Sequence, residues 1–138
     1  MKILIINGAN LNLLGRRQPE IYGHESFEDY LEALRARYSG HTLDYYQSNV
    51  EGELVSKLQE ADGVYDGVVL NAGGYTHTSV VLHDAVAAVS VPVVEVHLSS
   101  ILSREEFRHV SMIAPVACGT IMGFGMESYR LAVEYFVK

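Results

Sequence analysis

The chain has 138 residues, of which 49% are apolar and 20% charged, and its formal net charge is −7. That length suits one domain with a full hydrophobic core, and the composition excludes an intrinsically disordered chain. No apolar run approaches the roughly 20 residues of a membrane-spanning helix. The acidic balance, without any basic stripe, argues against nucleic acid as a partner.

Two features of the sequence predict a cytoplasmic location. The single cysteine, Cys118, cannot form an internal disulfide, which agrees with a reducing compartment. The first predicted strand begins at Lys2 and therefore lacks a signal-peptide layout. Cys118 lies in an apolar context and is interpreted as a buried small hydrophobe rather than as a nucleophile.

Strand and helix patterns alternate along the chain, which predicts an α/β domain with a parallel sheet. The first strand covers residues 2–6 and is followed by residues 11–24, an aperiodic segment that we interpret as a lid over a site. The first helix is expected to begin at Ser26, whose spacing to Asp29 resembles a capping box, and Gly40 is expected to stop it.

The remaining predicted elements are, in chain order, a strand at 42–47, a helix from about Val50, a strand at 67–70, a helix at 78–89 with Thr78 as its N-cap, a strand at 91–96, a short helix at 104–109, a strand at about 119–123 and a helix at 126–137. Five strands with intervening helices predict a flavodoxin-like three-layer sandwich of strand order 2-1-3-4-5, forming a single catalytic domain over residues 1–138. Right-handed crossovers then place the first, third and fourth strands side by side.

Each of these three adjacent strands runs into a cluster of small and polar residues, at 7–10, 71–79 and 97–100. Ligands of open α/β sheets bind beyond the carboxyl ends of the strands, so the clusters predict a site. The free N–H groups of the helix after the second cluster are expected to hold an oxyanion, while Gly73 and Gly74 let a ligand approach the backbone. The alternative is an ordinary turn into a capped helix.

An acid/base pair is predicted at the end of the fourth strand. Glu95 and His97 are two residues apart, so their side chains point to the same side of the strand. A carboxylate that orients an imidazole is a recurrent arrangement in proton transfer. The alternative is a half-buried histidine with satisfied hydrogen bonds. His77 is either a donor to a ligand or a turn residue in contact with solvent.

Arg17 and Tyr22 lie together in the predicted lid. A guanidinium stabilises a nearby phenolate and lowers the pKa of the tyrosine, so the pair can supply a base at neutral pH. The alternative is that the arginine is solvated and Tyr22 anchors the loop by packing. Further arginines at positions 104 and 108 can attract an anionic small molecule into an acidic protein.

Two other classes of protein stay open on the residues alone. Neither G-x-G-x-x-G nor G-x-x-x-x-G-K-[ST] occurs, so only the fold supports a non-catalytic FMN- or nucleotide-binding module. Metal ligation by Glu95, His97, His77 and His83 is the other hypothesis, although H-E-x-x-H and paired cysteines are absent and His77 and His83 do not share a helical face. We expect neither a cofactor nor a metal.

Four motifs together resemble the type II 3-dehydroquinate dehydratases, and the likeness covers essentially the whole chain. They are residues 7–17 (NGANLNLLGRR) with Pro19 and residues 22–23 (YG), then 71–79 (NAGGYTHTS), 95–99 (EVHLS) and 104–108 (REEFR). The resemblance implies a cofactor-free dehydration of 3-dehydroquinate to 3-dehydroshikimate in the shikimate pathway, an anti elimination through an enolate. Two positions depart from the family pattern, where Ala9 replaces a common proline and Ser100 a common asparagine.

The resemblance also implies a role for each catalytic residue. Tyr22 matches the base that removes the C2 proton, and Arg17 matches the lid arginine that polarises it. Asn10 matches the residue that holds a water against the enolate oxygen. His97 matches the acid that protonates the departing C1 hydroxyl, and Glu95 orients it.

Substrate contacts and assembly are implied in the same way. The residues that match contacts to the ring hydroxyls and the carboxylate are Asn71, His77, Leu98, Ser99 and Arg108. Asp84 matches a residue that reaches the site of a neighbouring subunit. The implied assembly is a dodecamer built as a tetramer of trimers.

Overall fold

The computed structural model describes residues 1–16, 20 and 24–138, and the strands of these residues form one parallel sheet. The strands are β1 (Lys2–Asn7), β2 (Thr42–Gln47), β3 (Gly67–Asn71), β4 (Val93–His97) and β5 (Gly119–Met122). Their order is β2-β1-β3-β4-β5, which confirms the predicted topology. Four α-helices flank the sheet, namely α1 (Phe27–Arg37), α2 (Glu51–Ala61), α3 (Val80–Ala88) and α4 (Glu127–Val137), among the residues described.

The sheet separates two hydrophobic cores, because successive side chains of a strand point to opposite faces. Ile3 and Ile5 of β1 belong to the core that contains the apolar residues of α1 and α4. Leu4 and Ile6 belong to the core formed with α2 and α3. Both faces of β1 are therefore covered, which explains why its sequence is continuously apolar rather than alternating.

The start of α3 differs from the prediction. Its N-cap is Ser79, whose hydroxyl accepts a hydrogen bond from the backbone N–H of Leu82 at 3.0 Å. Thr78, the predicted cap, belongs to the turn that closes a short 3-10 helix, Gly73–His77. The N-cap of α3 is therefore one residue later in the chain than predicted, because the 3-10 helix and its closing turn precede it.

Helix α1 begins where it was predicted to begin, but Gly40 does not terminate it as predicted. Ser26 is the N-cap, and its hydroxyl accepts from the Asp29 backbone N–H at 3.2 Å. The helix ends at Arg37, with Tyr38 as C-cap, and Gly40 does not have the positive φ expected of a terminating glycine. The chain therefore leaves α1 by a turn that needs no left-handed residue.

Two further predictions need correction. In place of one helix at 104–109, two short 3-10 helices, Ile101–Ser103 and Glu106–Arg108, follow β4. Cys118 is exposed rather than buried. It immediately precedes β5, which is the edge strand of the sheet that the described residues form. In the described parts of the chain, no helix combines the length and apolar character that crossing a bilayer requires.

Candidate active site

One pocket lies beyond the carboxyl ends of β1, β3 and β4, where the three polar clusters meet. Its lining includes seven of the residues predicted for the site, namely Asn10, Asn71, His77, His97, Leu98, Ser99 and Arg108. Glu95 lies behind His97, and Asp84 lies on the exposed side of α3. Arg17 and Tyr22 lie outside the described residues. The structure therefore brings together the predicted residues of three strand ends.

His97 and Glu95 form a buried pair at the end of β4. The Nε2 atom of His97 lies 2.6 Å from the Oε2 atom of Glu95, and the two residues are 7% and 1% exposed. Because an ionised carboxylate accepts hydrogen bonds only, Nε2 carries the proton in this contact. Nδ1 is then the ring nitrogen left for the pocket, and within the described residues it has no hydrogen-bond partner.

Two hydroxyl groups complete the surroundings of the Glu95 carboxylate. Ser111 donates to Oε2 at 2.6 Å and Thr120 donates to Oε1 at 2.8 Å. Burial by itself raises the pKa of Glu95, but the hydrogen bonds from His97, Ser111 and Thr120 outweigh burial and hold that pKa below its ordinary value. Glu95 is therefore ionised at neutral pH and places a negative charge beside the His97 ring.

The loops after β1 and β3 are packed backbone against backbone. A Cβ atom on Gly8 would lie 2.3 Å from the carbonyl oxygen of Ala72, and one on Gly73 would lie 2.9 Å from that of Ala9. Gly73 also has φ of +62°, which favours glycine. Gly73 and Gly74 both line the pocket, so the approach of a ligand to their backbone stays a prediction, and the missing side chain of Gly73 also makes room for the neighbouring loop.

The N-terminus of α3 does not line the pocket, contrary to the expectation of an oxyanion site there. The backbone N–H of Leu82 is already bound by the hydroxyl of Ser79, which is buried. The pocket instead takes its polar groups from side chains before α3, such as Asn71 and His77, and from the segment that begins at the end of β4. Asn10, whose φ of 71° lies in the left-handed region that asparagine tolerates, stands at the rim.

His77 is oriented by the backbone of a segment far along the chain. Its Nδ1 lies 2.8 Å from the carbonyl oxygen of Val110, so Nδ1 carries a proton and donates. The Nε2 atom is left for the pocket. Of the two interpretations of His77, a group aimed at a ligand is the one that this geometry favours.

Two guanidinium groups line the pocket on the side of the segment that follows β4. Arg108 pairs with Glu105 at 3.1 Å, and Arg104 lies 3.4 Å from the same residue and 3.5 Å from the Ser99 hydroxyl. The sequence indicated both arginines as attractors of an anion, and the family resemblance implied a substrate contact for Arg108 alone. Ser100 caps the 3-10 helix Ile101–Ser103 by accepting from the Leu102 N–H, a role that asparagine also fills.

Four groups behind the lining received no role in the site from the sequence. Ser111 and Thr120 contact Glu95, while Asn7 and Tyr129 form a buried network with Asn71. The only signal was the chemistry of Tyr129, because a tyrosine on the buried face of a helix needs a partner for its hydroxyl. The described residues contain no cluster of three histidine, cysteine or acidic side chains arranged to hold a metal.

Comparison with known proteins decides the family. The family model described as Dehydroquinase class II matches residues 1–137. The chain is 53% identical to a 3-dehydroquinate dehydratase of Bacillus licheniformis, with 99% of this chain and 95% of that protein covered. The chain belongs to the class II dehydroquinase family.

Further relatives agree with the assignment. A 3-dehydroquinate dehydratase of Prochlorococcus marinus is 51% identical, with 100% of this chain and 97% of that protein covered. The crystal structure of type II dehydroquinase from Butyrivibrio crossotus superposes with a TM-score of 0.95 at 43% identity, covering 100% of this chain and 98% of that one. The resemblance seen in the sequence motifs is thereby confirmed.

Proposed function

We propose that this chain is a 3-dehydroquinate dehydratase that eliminates water from 3-dehydroquinate, giving 3-dehydroshikimate by an anti elimination through an enolate and without a cofactor. The observation that carries the proposal is the buried Glu95–His97 pair, which opens onto a pocket that two arginines line. The substrate is inferred from membership of the family. The positive charge of the two arginines in the pocket suits the carboxylate of that substrate. With this substrate the enzyme acts in the shikimate pathway, and we propose a cytoplasmic location.

His97 is the general acid in this proposal. In its doubly protonated form the ring donates one proton to Glu95 and holds the other on Nδ1, on the pocket side. When the C1–O bond breaks, the Nδ1 proton passes to the departing hydroxyl, which leaves as water. The ionised Glu95 stabilises the imidazolium before the transfer and keeps its ring plane fixed.

Tyr22 and Arg17, which lie outside the described residues, are proposed as the base and its activating cation. The phenolate removes the C2 proton, and the electron pair of the C–H bond moves into an enolate. Asn10, at the rim of the pocket, is proposed to hold a water molecule against the enolate oxygen. Proton removal and proton donation are thus assigned to different groups, as an elimination at one pH requires.

The substrate contacts are proposed from the pocket lining. Arg108 faces the pocket with its charge partly shared with Glu105 and suits the carboxylate. Asn71 and His77 suit the ring hydroxyls and carboxylate because each offers an oriented polar group. Leu98 and Ser99 follow β4 directly and bring backbone and hydroxyl groups to the same wall.

An assembly of twelve chains, as a tetramer of trimers, belongs to the same proposal. Val80 and Val81 on α3 are 56% and 50% exposed, and Asp84 lies exposed on the same helix. Exposed apolar residues of this kind favour burial against another protein. We propose that α3 meets a second copy of the chain and that Asp84 then reaches the neighbouring pocket.

The direct test is the ultraviolet absorbance of the conjugated enone formed from 3-dehydroquinate. We expect absorbance to grow in proportion to enzyme concentration and to persist after treatment with chelator. Folded protein that produces no enone would overturn the proposal.

The assigned base is tested by Tyr22→Phe in the same assay. We expect turnover to fall by about 10²- to 10⁴-fold, the usual contribution of a general base, while product still binds in calorimetry. Near-normal turnover of the variant would show that Tyr22 is not the base, while leaving the proposed activity of the wild-type enzyme intact.

A further inference from the structure

A tyrosine from α4 joins the polar ends of β1 and β3 inside the protein. Asn7 and Asn71 are register partners on these neighbouring strands. The Tyr129 hydroxyl donates to Asn7 Oδ1 at 2.8 Å and accepts from Asn71 Nδ2 at 2.8 Å. Tyr129 and Asn7 are fully buried, and Asn71 is 3% exposed. These two hydrogen bonds are therefore shielded from solvent.

The hydrogen bonds fix which way the Asn71 amide faces. The backbone N–H of Gly73 donates to its Oδ1 at 3.1 Å, so the oxygen is on the Gly73 side and the nitrogen on the Tyr129 side. The amide nitrogen has two hydrogens, and Tyr129 accepts one of them. Asn71 lines the pocket, and the second hydrogen has no protein partner among the described residues. The amide consequently offers a donor to a ligand.

The direction of the chain of hydrogen bonds depends on the hydroxyl of Tyr129 staying protonated. Burial raises the pKa of Tyr129 far above its ordinary value, despite its hydrogen bonds with Asn71 and Asn7. The Tyr129 hydroxyl donates its proton to Asn7, so the lone pairs of its oxygen accept the hydrogen bond from Asn71. Asn7 therefore fixes the hydroxyl, and the hydroxyl in turn fixes the amide.

We propose that Tyr129 is a positioning residue for substrate binding, whose buried hydroxyl holds the Asn71 amide with one N–H directed to the ligand. This inference rests on the proposed function and adds to it a residue from α4 that does not line the pocket. Its action is on binding rather than on proton transfer, because it contacts Asn71 and not the Glu95–His97 pair.

The primary experiment compares Tyr129→Phe with the wild-type enzyme in steady-state assays of 3-dehydroquinate conversion. We expect KM to rise about 3- to 10-fold, the effect of one hydrogen bond, with kcat changed by less than about twofold. The matched control is Tyr38→Phe, which removes a hydroxyl that donates to Glu134 of α4 at 2.7 Å and contacts neither Asn7 nor Asn71. We expect its KM to equal that of the wild-type enzyme.

A merely structural role would reduce the amount of folded enzyme, which lowers apparent kcat and leaves KM unchanged. A second readout is a double-mutant cycle with Asn71→Ala. If Tyr129 acts through Asn71, Tyr129→Phe has no further effect on KM in the Asn71→Ala background. Independent, multiplying effects of the two substitutions on KM would overturn the inference.

The outcomes separate this inference from the proposed function. Active wild-type enzyme with an unchanged KM in Tyr129→Phe overturns the inference alone, whereas wild-type protein without dehydratase activity overturns the proposed function. If Tyr129→Phe does not fold, Asn7→Ser is measured instead, since it withdraws the acceptor that fixes the hydroxyl. A raised KM with little change in kcat supports the inference, and an unchanged KM overturns it.

Discussion

Glu95 is a carboxylate with almost no solvent contact, and three donors keep it ionised beside His97. Of these donors, Thr120 contributes only a side-chain hydroxyl, whereas Ser111 also accepts from the backbone N–H groups of Ile113 and Ala114. Thr120 is therefore the residue at which the charge of Glu95 can be altered without disturbing a turn.

We predict that Thr120→Val moves the acidic limb of the kcat/KM profile to higher pH. A hydrogen bond donated to the ionised form lowers a carboxyl pKa, so its loss raises the pKa of Glu95. As the solution is acidified, the carboxylate is then neutralised earlier and support for the His97 imidazolium is lost earlier. Thr120→Ser keeps the hydroxyl and is expected to keep the wild-type limb. Superimposable profiles for the Val and Ser variants would contradict the prediction.

Some residues of the site could be predicted from the sequence and others could not, for a physical reason. Glu95 and His97 are close in the chain, and the two-residue repeat of a strand places them together. Thr120 and Ser111 reach Glu95 only through the folding of distant segments, so no local spacing indicates them. The same holds for Tyr129, whose helical spacing indicates burial but not a partner.

At the scale of elements, the boundary between the β3 loop and α3 is the most informative. Ser79 and Thr78 are both good capping residues, and local chemistry does not choose between them. The choice follows from the 3-10 helix Gly73–His77, which occupies the chain as far as His77. Strand boundaries were easier to predict, because continuously apolar runs end where the polar clusters begin.

We predict that Ser79→Ala destabilises the protein by about 1–2 kcal/mol, because a buried cap is lost from α3. The matched control is Thr78→Ala, which removes a hydroxyl one residue earlier and is expected to change the unfolding free energy by less than about 0.5 kcal/mol. Urea denaturation of both variants checks this difference. Equal loss of stability in the two variants would place the cap elsewhere.

At the scale of the whole molecule, strand order could be predicted because helical and strand periods alternate regularly along the chain. The exposure of Cys118 could not, since its apolar neighbours indicate burial, while its position beside the edge strand appears only once the strands are ordered. The exposed apolar surface of α3 is also a feature of the whole molecule, because only contact with a second chain would bury it.

We predict that Val81→Lys weakens the proposed assembly, since a lysine would place a charge on the exposed apolar surface of α3. In sedimentation velocity the wild-type protein is expected near twelve times the 15.3 kDa of one chain, and the variant at a smaller mass. Val64→Lys, at another valine that is 53% exposed, is the control and should keep the full mass. An unchanged mass for Val81→Lys would exclude this surface as the contact.

The network around Tyr129 has a consequence for the order in which the protein matures during translation. Asn7 is translated before Asn71, yet their shared partner lies in α4, which follows the five strands of the described residues. Until α4 docks, both asparagines lack this partner and the Asn71 amide lacks the hydroxyl that orients it. In a nascent chain that has already formed β1 and β3, the Asn71 amide is therefore not yet oriented, and its orientation is completed in a late step with the docking of α4.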